Sequence, residues 1–330
     1  MTPVSKTAEG ETQMSIAEGL ILVTGESLVD LIPVEATTFE AVLGGSPFNT
    51  AIGLGRLGVP TGFAGRISTD AMGELLVERL AADRVDLSFV ARAPQPSPLA
   101  FVTRGTAATG ARYAFYLGST AYDGPSPLPA YWPDQVAHLH IGSFSATDGQ
   151  LGEAALATLR GAVGHGTTSF DPNIRPFVVP PVAETRLLVE ERVRLSTIVK
   201  ASEEDMDWLY PERDPHASAA AWALQGPRLV VLTRGGTGST GFFEGRQIEI
   251  KAPLITVADT VGAGDSFMSA LLAAMYRDGG LGPRADLGAA ALTEARVTSW
   301  LQFATTASAI TCTRKGANPP TMPEVEAGLG

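Results

Sequence analysis

Residues 259–267 read Asp-Thr-Val-Gly-Ala-Gly-Asp-Ser-Phe and lie between a strand-like segment, LITVA, and a long apolar segment with helical spacing. Two glycines and an alanine allow the backbone to approach a ligand closely. The free N–H groups at the start of the following helix would then point at that ligand. The stretch therefore predicts an anion-binding turn formed by Gly262, Ala263 and Gly264.

The same turn carries a carboxylate, Asp265. Simple anion binding does not explain it, because like charges repel. Phosphoryl transfer does explain it, since a carboxylate can accept the proton of an attacking hydroxyl while backbone N–H groups stabilise the transferred phosphoryl group. The alternative is that Asp265 only caps its helix.

Outward from this stretch, strand-like and helix-like segments alternate along the chain. This alternation predicts an α/β fold with a mainly parallel central sheet and helices on both faces. The predicted strands are 20–23, 61–65, 136–141, 166–170, 196–200 and 228–233. The predicted helices are 46–58, 70–82, 150–163, 183–193, 202–225, 263–278, 284–303 and 305–313.

Two segments, 28–42 and 87–117, interrupt the alternation with extended, β-prone runs. We expect them to form a small separate sheet, a lid made of about 28–42 and 87–120. An ordinary extension of the sheet edge is the alternative. Residues 1–18 read as a flexible tail, and 19–323 as one domain.

Composition excludes several classes of function. The chain has 330 residues and a net charge of −11, without a Lys/Arg block, which disfavours nucleic acids and anionic membranes as partners. Its apolar stretches are shorter than the roughly 20 residues that span a bilayer. Its single cysteine, Cys312, cannot form an internal disulfide, which suits the cytoplasm. Small molecules are the expected partners.

Some motifs argue against other enzyme classes. The GLGRLG run at 53–58 lies within a predicted helix, whereas a dinucleotide fingerprint follows a strand and opens a helix. No GxxxxGK[ST], GxSxG or HExxH motif occurs. His138 and His140 alternate on one predicted strand, without metal-ligand spacing, and we expect structural roles for both.

Several motifs together resemble the ribokinase-like, or PfkB, family of carbohydrate kinases. Beside GAGDSF they are GGSPFNTA with LGRLG, GRISxDxxG, DPNIR, KASEE and TRGGxG, starting at residues 44, 65, 171, 200 and 233. They occur in the family's order and cover about 20–320. The resemblance implies a three-layer α/β sandwich of the ribokinase type with a small β-sheet lid, and an ATP-dependent sugar kinase.

The resemblance also implies roles for residues of the sugar site. Asp265 would be the catalytic base, and Gly262, Ala263 and Gly264 the anion hole. Asp30 would accept hydrogen bonds from sugar hydroxyls, which suits a carboxylate because it can take two donors at once. The remaining expected sugar contacts are Gly44, Gly45, Asn49, Phe101, Tyr113, Phe115 and Arg175.

Nucleotide and cation sites follow from the same resemblance. The expected ATP contacts are Ser202, Thr233, Gly235, Gly236, Gly238 and Gly264. Magnesium would be held through water by Glu204 or Asp205, where relatives carry Asn-x-x-Glu. A loop for a monovalent cation, K⁺, would comprise Asp259, Val261, Thr311, Arg314 and Gly316.

The sugar itself is less constrained by the motifs. Gly-Gly-Ser-Pro at 44–47 resembles the fructokinase type and favours transfer to a primary hydroxyl of a ketose, D-fructose giving fructose 6-phosphate. A 2-keto-3-deoxygluconate kinase, a ribokinase and a non-catalytic sugar or nucleotide sensor are the alternatives. Leu117 stands where both fructokinases and ketodeoxygluconate kinases often carry Arg. The lid strands could also pair two subunits into a homodimer.

Overall fold

The structure is a computed structural model that describes residues 19–35, 37–103 and 112–329. The predicted tail, 1–18, lies outside the described residues. Among those described, no helix is long and apolar enough to cross a membrane.

The larger of two main sheets has eight strands: β1 (Leu20–Thr24), β4 (Thr61–Ala64), β9 (Val136–Gly142), β10 (Thr167–Asp171), β11 (Ile198–Ser202), β12 (Leu229–Thr233), β13 (Ser239–Phe243) and β14 (Arg246–Ile250). Their order in the sheet is β14-β13-β12-β11-β10-β9-β1-β4. The six strands from β12 to β4 pair in parallel, and β13 and β14 add an antiparallel hairpin at one edge.

Helices cover both faces of this sheet, as the alternation predicts. They are α1 (Ser46–Arg56), α2 (Ala71–Ala82), α3 (Gly149–Gly161), α4 (Val182–Leu195), α5 (Glu203–Leu209), α6 (Pro215–Ala223), α7 (Ala263–Arg277), α8 (Glu294–Cys312) and α9 (Met322–Leu329).

Strand alternation divides the core into two layers. On β12, Leu229 and Val231 pack with α1, α7 and α8, whereas Val230 and Leu232 pack on the opposite face with α3 to α6. All four side chains are fully buried. The prediction of an α/β sandwich with a mainly parallel central sheet is confirmed.

The second main sheet has four strands in the order β3-β2-β7-β8. They are β2 (Leu28–Pro33), β3 (Phe39–Gly44), β7 (Leu99–Thr103) and β8 (Arg112–Tyr116). We call this four-stranded sheet the small sheet. It arises from the two segments that interrupt the alternation, but the predicted boundary at residue 87 is wrong. The strand β6 (Ala91–Ala93) pairs instead with β5 (Arg66–Ser68) in a separate two-stranded sheet.

The C-terminal third also differs from the prediction. Residues 284–293 form turns, and the single helix α8 replaces the two predicted helices. Thr293 caps α8 by accepting a hydrogen bond from Arg296 N at 3.3 Å. Thr305, a residue type that disfavours helix interiors, lies inside α8 with its hydroxyl 3.2 Å from Ser239 Oγ. Beyond the predicted domain end at 323, α9 buries Val325 in the core.

Candidate active site

The start of α7 has the geometry expected of an anion-binding turn. Gly262 is the N-cap residue with φ +76°, and no side chain caps this helix end. A Cβ on Gly262 would lie 2.7 Å from Ala317 Cβ, so glycine is required there for both conformation and space. Gly264 and Asp265 are the second and third helical residues, whose N–H groups have no intrahelical acceptor. Ala263 differs from the prediction, because its N–H already donates to Thr260 O.

Asp265 does not cap its helix; instead, its carboxylate is bound by two donors from α1. Ser46 Oγ donates to Oδ1 at 2.6 Å, and Asn49 Nδ2 donates to Oδ2 at 2.9 Å. The predicted sugar residue Asn49 therefore contacts the predicted base directly. Ser46 is the first residue of α1, and Gly45 occupies the N-cap position. The Ser-Pro pair consequently begins the helix, but the serine side chain does not cap it.

Asp265 opens onto a cavity of about 290 Å³, which we call the sugar cavity. It lies between the start of α7, the start of α1 and the small sheet. Its lining includes these expected sugar residues: Asp30, Gly45, Asn49, Tyr113, Phe115 and Arg175. Gly44 lies behind this wall, where a Cβ would approach Asp30 Oδ2 to 2.5 Å.

The small sheet turns one face toward the sugar cavity. On β8, Tyr113 and Phe115 line the cavity and stack with ring centroids 5.8 Å apart. Phe101 pairs in register with Ala114, so its side chain lies on the other face of the sheet. There its ring contacts Phe39 and Tyr116, each with centroids 5.5 Å apart. This placement corrects the predicted role of Phe101 as a sugar contact.

Charge in the sugar cavity is divided between acids and one arginine. Burial raises the pKa of Asp30 to about 6, and the positive charge of Arg175 partly offsets this. Glu26, in the β1–β2 loop, is only 3% exposed, and burial raises its pKa to about 7. Its carboxylate accepts hydrogen bonds from Ser46 N and Ser145 Oγ. The hydroxyl groups of a polyol could therefore donate hydrogen bonds to carboxylates and accept them from Arg175 in this cavity.

A second cavity of about 700 Å³, the nucleotide cavity, lies on the other side of the α7 start. Gly264, Asn173, Arg175 and Thr260 line both cavities, which therefore meet at the anion-binding turn. The expected ATP contacts that line it are Ser202, Thr233, Gly235, Gly236, Gly238 and Gly264. Apolar groups form another part of the wall: Trp208, Ile255, Val257, Phe267, Ala309 and Cys312.

The Gly-rich turn after β12 depends on one glycine in particular. Gly238 has φ +113°, and a Cβ there would lie 1.9 Å from Ile250 O. This glycine allows β13 to begin against β14 while the turn borders the nucleotide cavity. The turn therefore leads into the antiparallel strands β13 and β14 and also borders the nucleotide cavity.

A buried ion pair lies beneath the junction of the two cavities. Lys200 Nζ donates to Asp171 Oδ2 at 2.6 Å, and both side chains are at most 4% exposed. Burial raises the pKa of Asp171 to about 6. Although burial opposes its charge, Lys200 has a raised pKa because Asp171, Asp205 and Asp265 surround it. The Lys200 ammonium group of this pair lies close to the start of α7, 3.2 Å from the position that a Cβ on Gly264 would take.

The two candidate magnesium residues have different environments. Asp205 Oδ1 accepts from Ile174 N, and Oδ2 accepts from the N–H and the hydroxyl of Ser202. The bond from Ser202 N and the reciprocal bond from Asp205 N to Ser202 Oγ form a capping box at the start of α5. Both oxygens of the buried Asp205 carboxylate are therefore occupied. Glu204 is exposed and lines the nucleotide cavity. Glu204 therefore has the freer carboxylate.

The expected cation loop is only partly assembled by side chains. Asp259 accepts hydrogen bonds from Val261 N at 3.1 Å and Gly316 N at 2.8 Å. Thr311 Oγ1 lies 2.8 Å from Ser266 Oγ inside the helix pair, and Arg314 donates to Glu324. The side chains of Thr311 and Arg314 are therefore engaged elsewhere. Among the described residues, no cluster of three or more acidic, His or Cys side chains could hold a metal ion.

The two strand histidines belong to the core. His138 lies 2.8 Å from both Thr167 Oγ1 and Ser169 Oγ, and His140 lies 2.8 Å from Ser169 Oγ. Burial lowers the pKa of both, to about 3 for His140. They are neutral, hydrogen-bonded residues within the sheet, consistent with the expected structural roles.

Sequence motifs pointed to neither Ser46 nor Glu26 as a site residue. Ser46 stands inside the GGSPFNTA motif, and Glu26 stands four residues before Asp30, in the run GESLVD. A glutamate inside an otherwise apolar and small-residue run was the available signal, since a carboxylate is rarely buried without a specific role.

Comparison with known proteins agrees with the fold. A fructokinase from Rhizobium leguminosarum bv. trifolii is 40% identical over 266 residues, which cover 78% of this chain and 80% of the relative. A fructokinase double mutant from Vibrio cholerae O395, bound to fructose, ADP and potassium ion, superposes with a TM-score of 0.80 at 23% identity, covering 96% of this chain and 100% of that chain.

A putative ribokinase II from E. coli, in complex with ATP and Mg²⁺, gives a TM-score of 0.77 at 24% identity, covering 94% of this chain and 99% of that chain. At such identities the two structures establish the fold. The model of the pfkB family carbohydrate kinases matches residues 19–324. The chain therefore belongs to the pfkB family of carbohydrate kinases and is a sugar phosphotransferase.

Proposed function

We propose that this kinase transfers the γ-phosphoryl group of ATP to a primary hydroxyl of a ketose, with D-fructose giving fructose 6-phosphate. One observation carries the proposal. The Asp265 carboxylate and the start of α7 stand where a polar cavity and a larger, partly apolar cavity meet. A hydroxyl and a phosphoryl group can meet only at such a junction.

In this proposal Asp265 accepts the proton of the sugar hydroxyl while that oxygen attacks the γ-phosphorus. The bond from the γ-phosphorus to the bridging oxygen of ADP breaks, and ADP leaves. The N–H groups of Gly264 and Asp265 stabilise the negative charge on the phosphoryl oxygens. Asp30 accepts hydrogen bonds from sugar hydroxyls, and Tyr113 and Phe115 cover the sugar.

The nucleotide cavity suits ATP in size and in lining. Its volume of about 700 Å³ falls within the usual range for small-molecule sites, about 300–1,000 Å³. Its apolar wall suits an adenine ring, and the glycine turn at 235–238 suits phosphates. Glu204, whose carboxylate is exposed at this cavity, is the residue that would hold Mg²⁺ through water. Bound magnesium would neutralise charge on the phosphates.

A monovalent cation such as K⁺ is a further proposal for the 259–261 and 311–316 segments. Asp259 bridges the two segments through its bond to Gly316 N. Since the Thr311 and Arg314 side chains are used elsewhere, any cation there would be bound mainly by backbone carbonyls. Its effect would be on the conformation of the neighbouring α7 start.

An acidic ketose is the second candidate substrate. Arg175 lines the sugar cavity, and its positive charge acts on Asp30. A carboxylate on the sugar would find a partner there, as 2-keto-3-deoxygluconate would require. Leu117, in contrast, packs in the apolar cluster around Phe144 and supplies no charge.

We also propose that the small sheet acts as a lid and that its outer face pairs two subunits. Phe39 and Tyr116 are 42% and 59% exposed on that face, beside Phe101. Contiguous exposed aromatic rings on a sheet with open edges are typical of a protein interface. A second copy of the chain would bring an identical patch, as a two-fold dimer requires.

Turnover of ATP with Mg²⁺ should be measured against fructose, ribose, 2-keto-3-deoxygluconate, fructose 6-phosphate and adenosine. We expect saturable turnover with fructose. Asp265→Asn should lower kcat at least about 100-fold, because a positioned general base contributes about 10²–10⁴-fold. Fructose binding, followed by calorimetry, should persist. Asp134→Asn, an exposed carboxylate outside both cavities, is the matched control.

The outcomes separate the substrate from the mechanism. Turnover with the acidic ketose alone would keep the mechanism and replace the substrate. An Asp265→Asn variant with the wild-type kcat would contradict the role of Asp265. A folded protein that binds sugar and ATP without turning over any sugar of the panel would favour a sensing function.

A further inference from the structure

Buried hydrogen bonds connect Glu26 through Ser46 to Asp265. Ser46 Oγ donates to Asp265 Oδ1 at 2.6 Å, and the backbone N–H of Ser46 donates to Glu26 Oε1 at 3.3 Å. Glu26 Oε2 accepts from Ser145 Oγ. All four residues are buried, so water does not compete effectively for these bonds.

Ser46 stands at the start of α1, where its hydroxyl could have capped the helix. A serine at the start of a helix usually caps the helix end. Here Gly45 is the N-cap residue, and no side chain caps α1. The Ser46 hydroxyl reaches instead to a residue 219 positions further along the chain. Its hydrogen bond therefore serves the site rather than the local helix.

The burial of Glu26 is a second observation, independent of the direction of the Ser46 hydroxyl. Glu26 is 3% exposed, and among the described residues no ion pair involves it. Burying a carboxyl group without a cation is costly. Its partners are the Ser46 amide and the Ser145 hydroxyl, and it lines the sugar cavity beside Asp265. Glu26 is thus buried where the start of α1 meets the site.

A carboxylate held by one donor can still turn about its terminal bond. Asn49 restrains Oδ2 of Asp265, and Ser46 restrains Oδ1, so the two bonds together set the carboxylate plane. Proton transfer is sensitive to this orientation, and a misplacement of about 1 Å can cost about 100-fold in rate. Glu26 accepts a hydrogen bond from the backbone N–H of Ser46. Because this bond holds the Ser46 backbone in place, it fixes the position of the serine hydroxyl relative to Asp265.

We infer that Ser46 is a positioning residue that orients the Asp265 carboxylate toward the sugar hydroxyl, and that Glu26 holds Ser46 in place. The inference rests on the proposed role of Asp265 as the base. Ser46 also borders the sugar cavity. A direct bond between Ser46 and the sugar is therefore the competing explanation, and the kinetics must separate the two.

The test compares kcat and KM for the sugar that the substrate panel described above identifies as the acceptor. Ser46→Ala should lower kcat about 10- to 100-fold and change the sugar KM less than about threefold. Ser46→Thr, which keeps the hydroxyl, should recover most of the kcat. Glu26→Gln keeps one acceptor oxygen and should reduce kcat less than Ser46→Ala. Thermal unfolding of each variant monitors folding.

Ser27→Ala is a matched control. Ser27 adjoins Glu26, is 3% exposed, and its hydroxyl has no hydrogen-bond partner among the described residues. Its removal should leave kcat unchanged. A higher sugar KM with unchanged kcat in Ser46→Ala would overturn the inference in favour of direct sugar binding. Wild-type kinetics in Ser46→Ala, with Asp265→Asn inactive, would overturn the inference and leave the proposed function intact. An active Asp265→Asn would contradict the proposed function itself.

Discussion

At the scale of single residues, the site contains buried carboxyl groups that favour their neutral form. Burial raises the pKa of Glu26 to about 7 and that of Asp30 to about 6. Between the unfolded and folded pKa values, the folded chain binds more protons than the unfolded chain. The free energy of unfolding contributed by such a group is therefore fully present at low pH and is lost as pH rises through the folded value.

We predict that Glu26 lowers the free energy of unfolding as pH rises between about pH 5 and pH 8, whereas the buried neutral His138 and His140 act in the opposite direction below about pH 6.5. Raising the pKa of Glu26 from 4.5 to about 7 corresponds to on the order of 3 kcal/mol across this window. Urea unfolding at several pH values measures the slope. Glu26→Gln cannot ionise and should lose this contribution, so its free energy of unfolding should fall less with rising pH than that of the wild type. Asp134→Asn should keep the wild-type slope, and an equally steep slope in Glu26→Gln would contradict the assignment to Glu26.

Single residues also show which parts of the site can be predicted from motifs. Asp265, Asn49 and Asp30 line one cavity, as predicted, because each stands inside a motif whose backbone path is locally determined. Ser46 and Glu26 were not singled out. Their importance comes from contacts with residues distant in the chain, and no local pattern encodes such contacts.

At the scale of elements, the start of α7 depends on one left-handed turn. Gly262 has φ +76°, and a Cβ there would meet Ala317 Cβ at 2.7 Å. Gly58, after α1, has nearly the same φ, +75°, but open space around its Cβ position. A comparison of substitutions at the two glycines therefore separates the effect of backbone strain from the effect of displacing the start of α7.

We predict that Gly58→Ala and Gly262→Ala both lower the melting temperature, since a left-handed conformation costs an L-residue about 1–2 kcal/mol. Only Gly262→Ala should also lower kcat, at least about 10-fold, because the clash displaces the N–H groups that stabilise charge. Melting curves and steady-state kinetics measure both effects. Equal kinetics in the two variants would show that this turn does not contribute to catalysis.

Strand pairing decided which side chains of the small sheet face the sugar cavity. On β8, Tyr113 and Phe115, both expected sugar contacts, line the sugar cavity. Phe101, on the neighbouring β7, was assigned to the same face and lies on the other. Side chains of adjacent strands share a face only if their register allows it, and a register cannot be read from either strand alone.

At the scale of the whole molecule, the outer face of the small sheet predicts a homodimer. Tyr116→Glu would place a charge within the aromatic patch formed with Phe39 and Phe101. We expect the wild-type chain to sediment as a dimer and Tyr116→Glu as a monomer. Leu224→Glu, at an 81% exposed position at the end of α6, should remain dimeric. A monomeric wild type, or a dimeric Tyr116→Glu, would contradict this pairing.

The sequence by itself determined the sandwich architecture, the family and the position of the anion-binding turn. Alternating apolar segments specify strands and helices locally, and a Gly-Ala-Gly-Asp turn has few conformations available to it. The end of the chain was less predictable. The predicted break between 303 and 305 is wrong, because α8 continues through it and the Thr305 hydroxyl contacts Ser239 across the core.

Only the tertiary structure decided how the carboxylates divide their roles. Asp265 faces the junction of the cavities, Asp205 is saturated by its capping box, and Glu204 remains free at the nucleotide cavity. Likewise, only packing placed Glu26 and Ser46 behind Asp265. The physical reason is that burial and hydrogen-bond partners depend on which distant segments meet, and these two factors govern what a carboxylate can do.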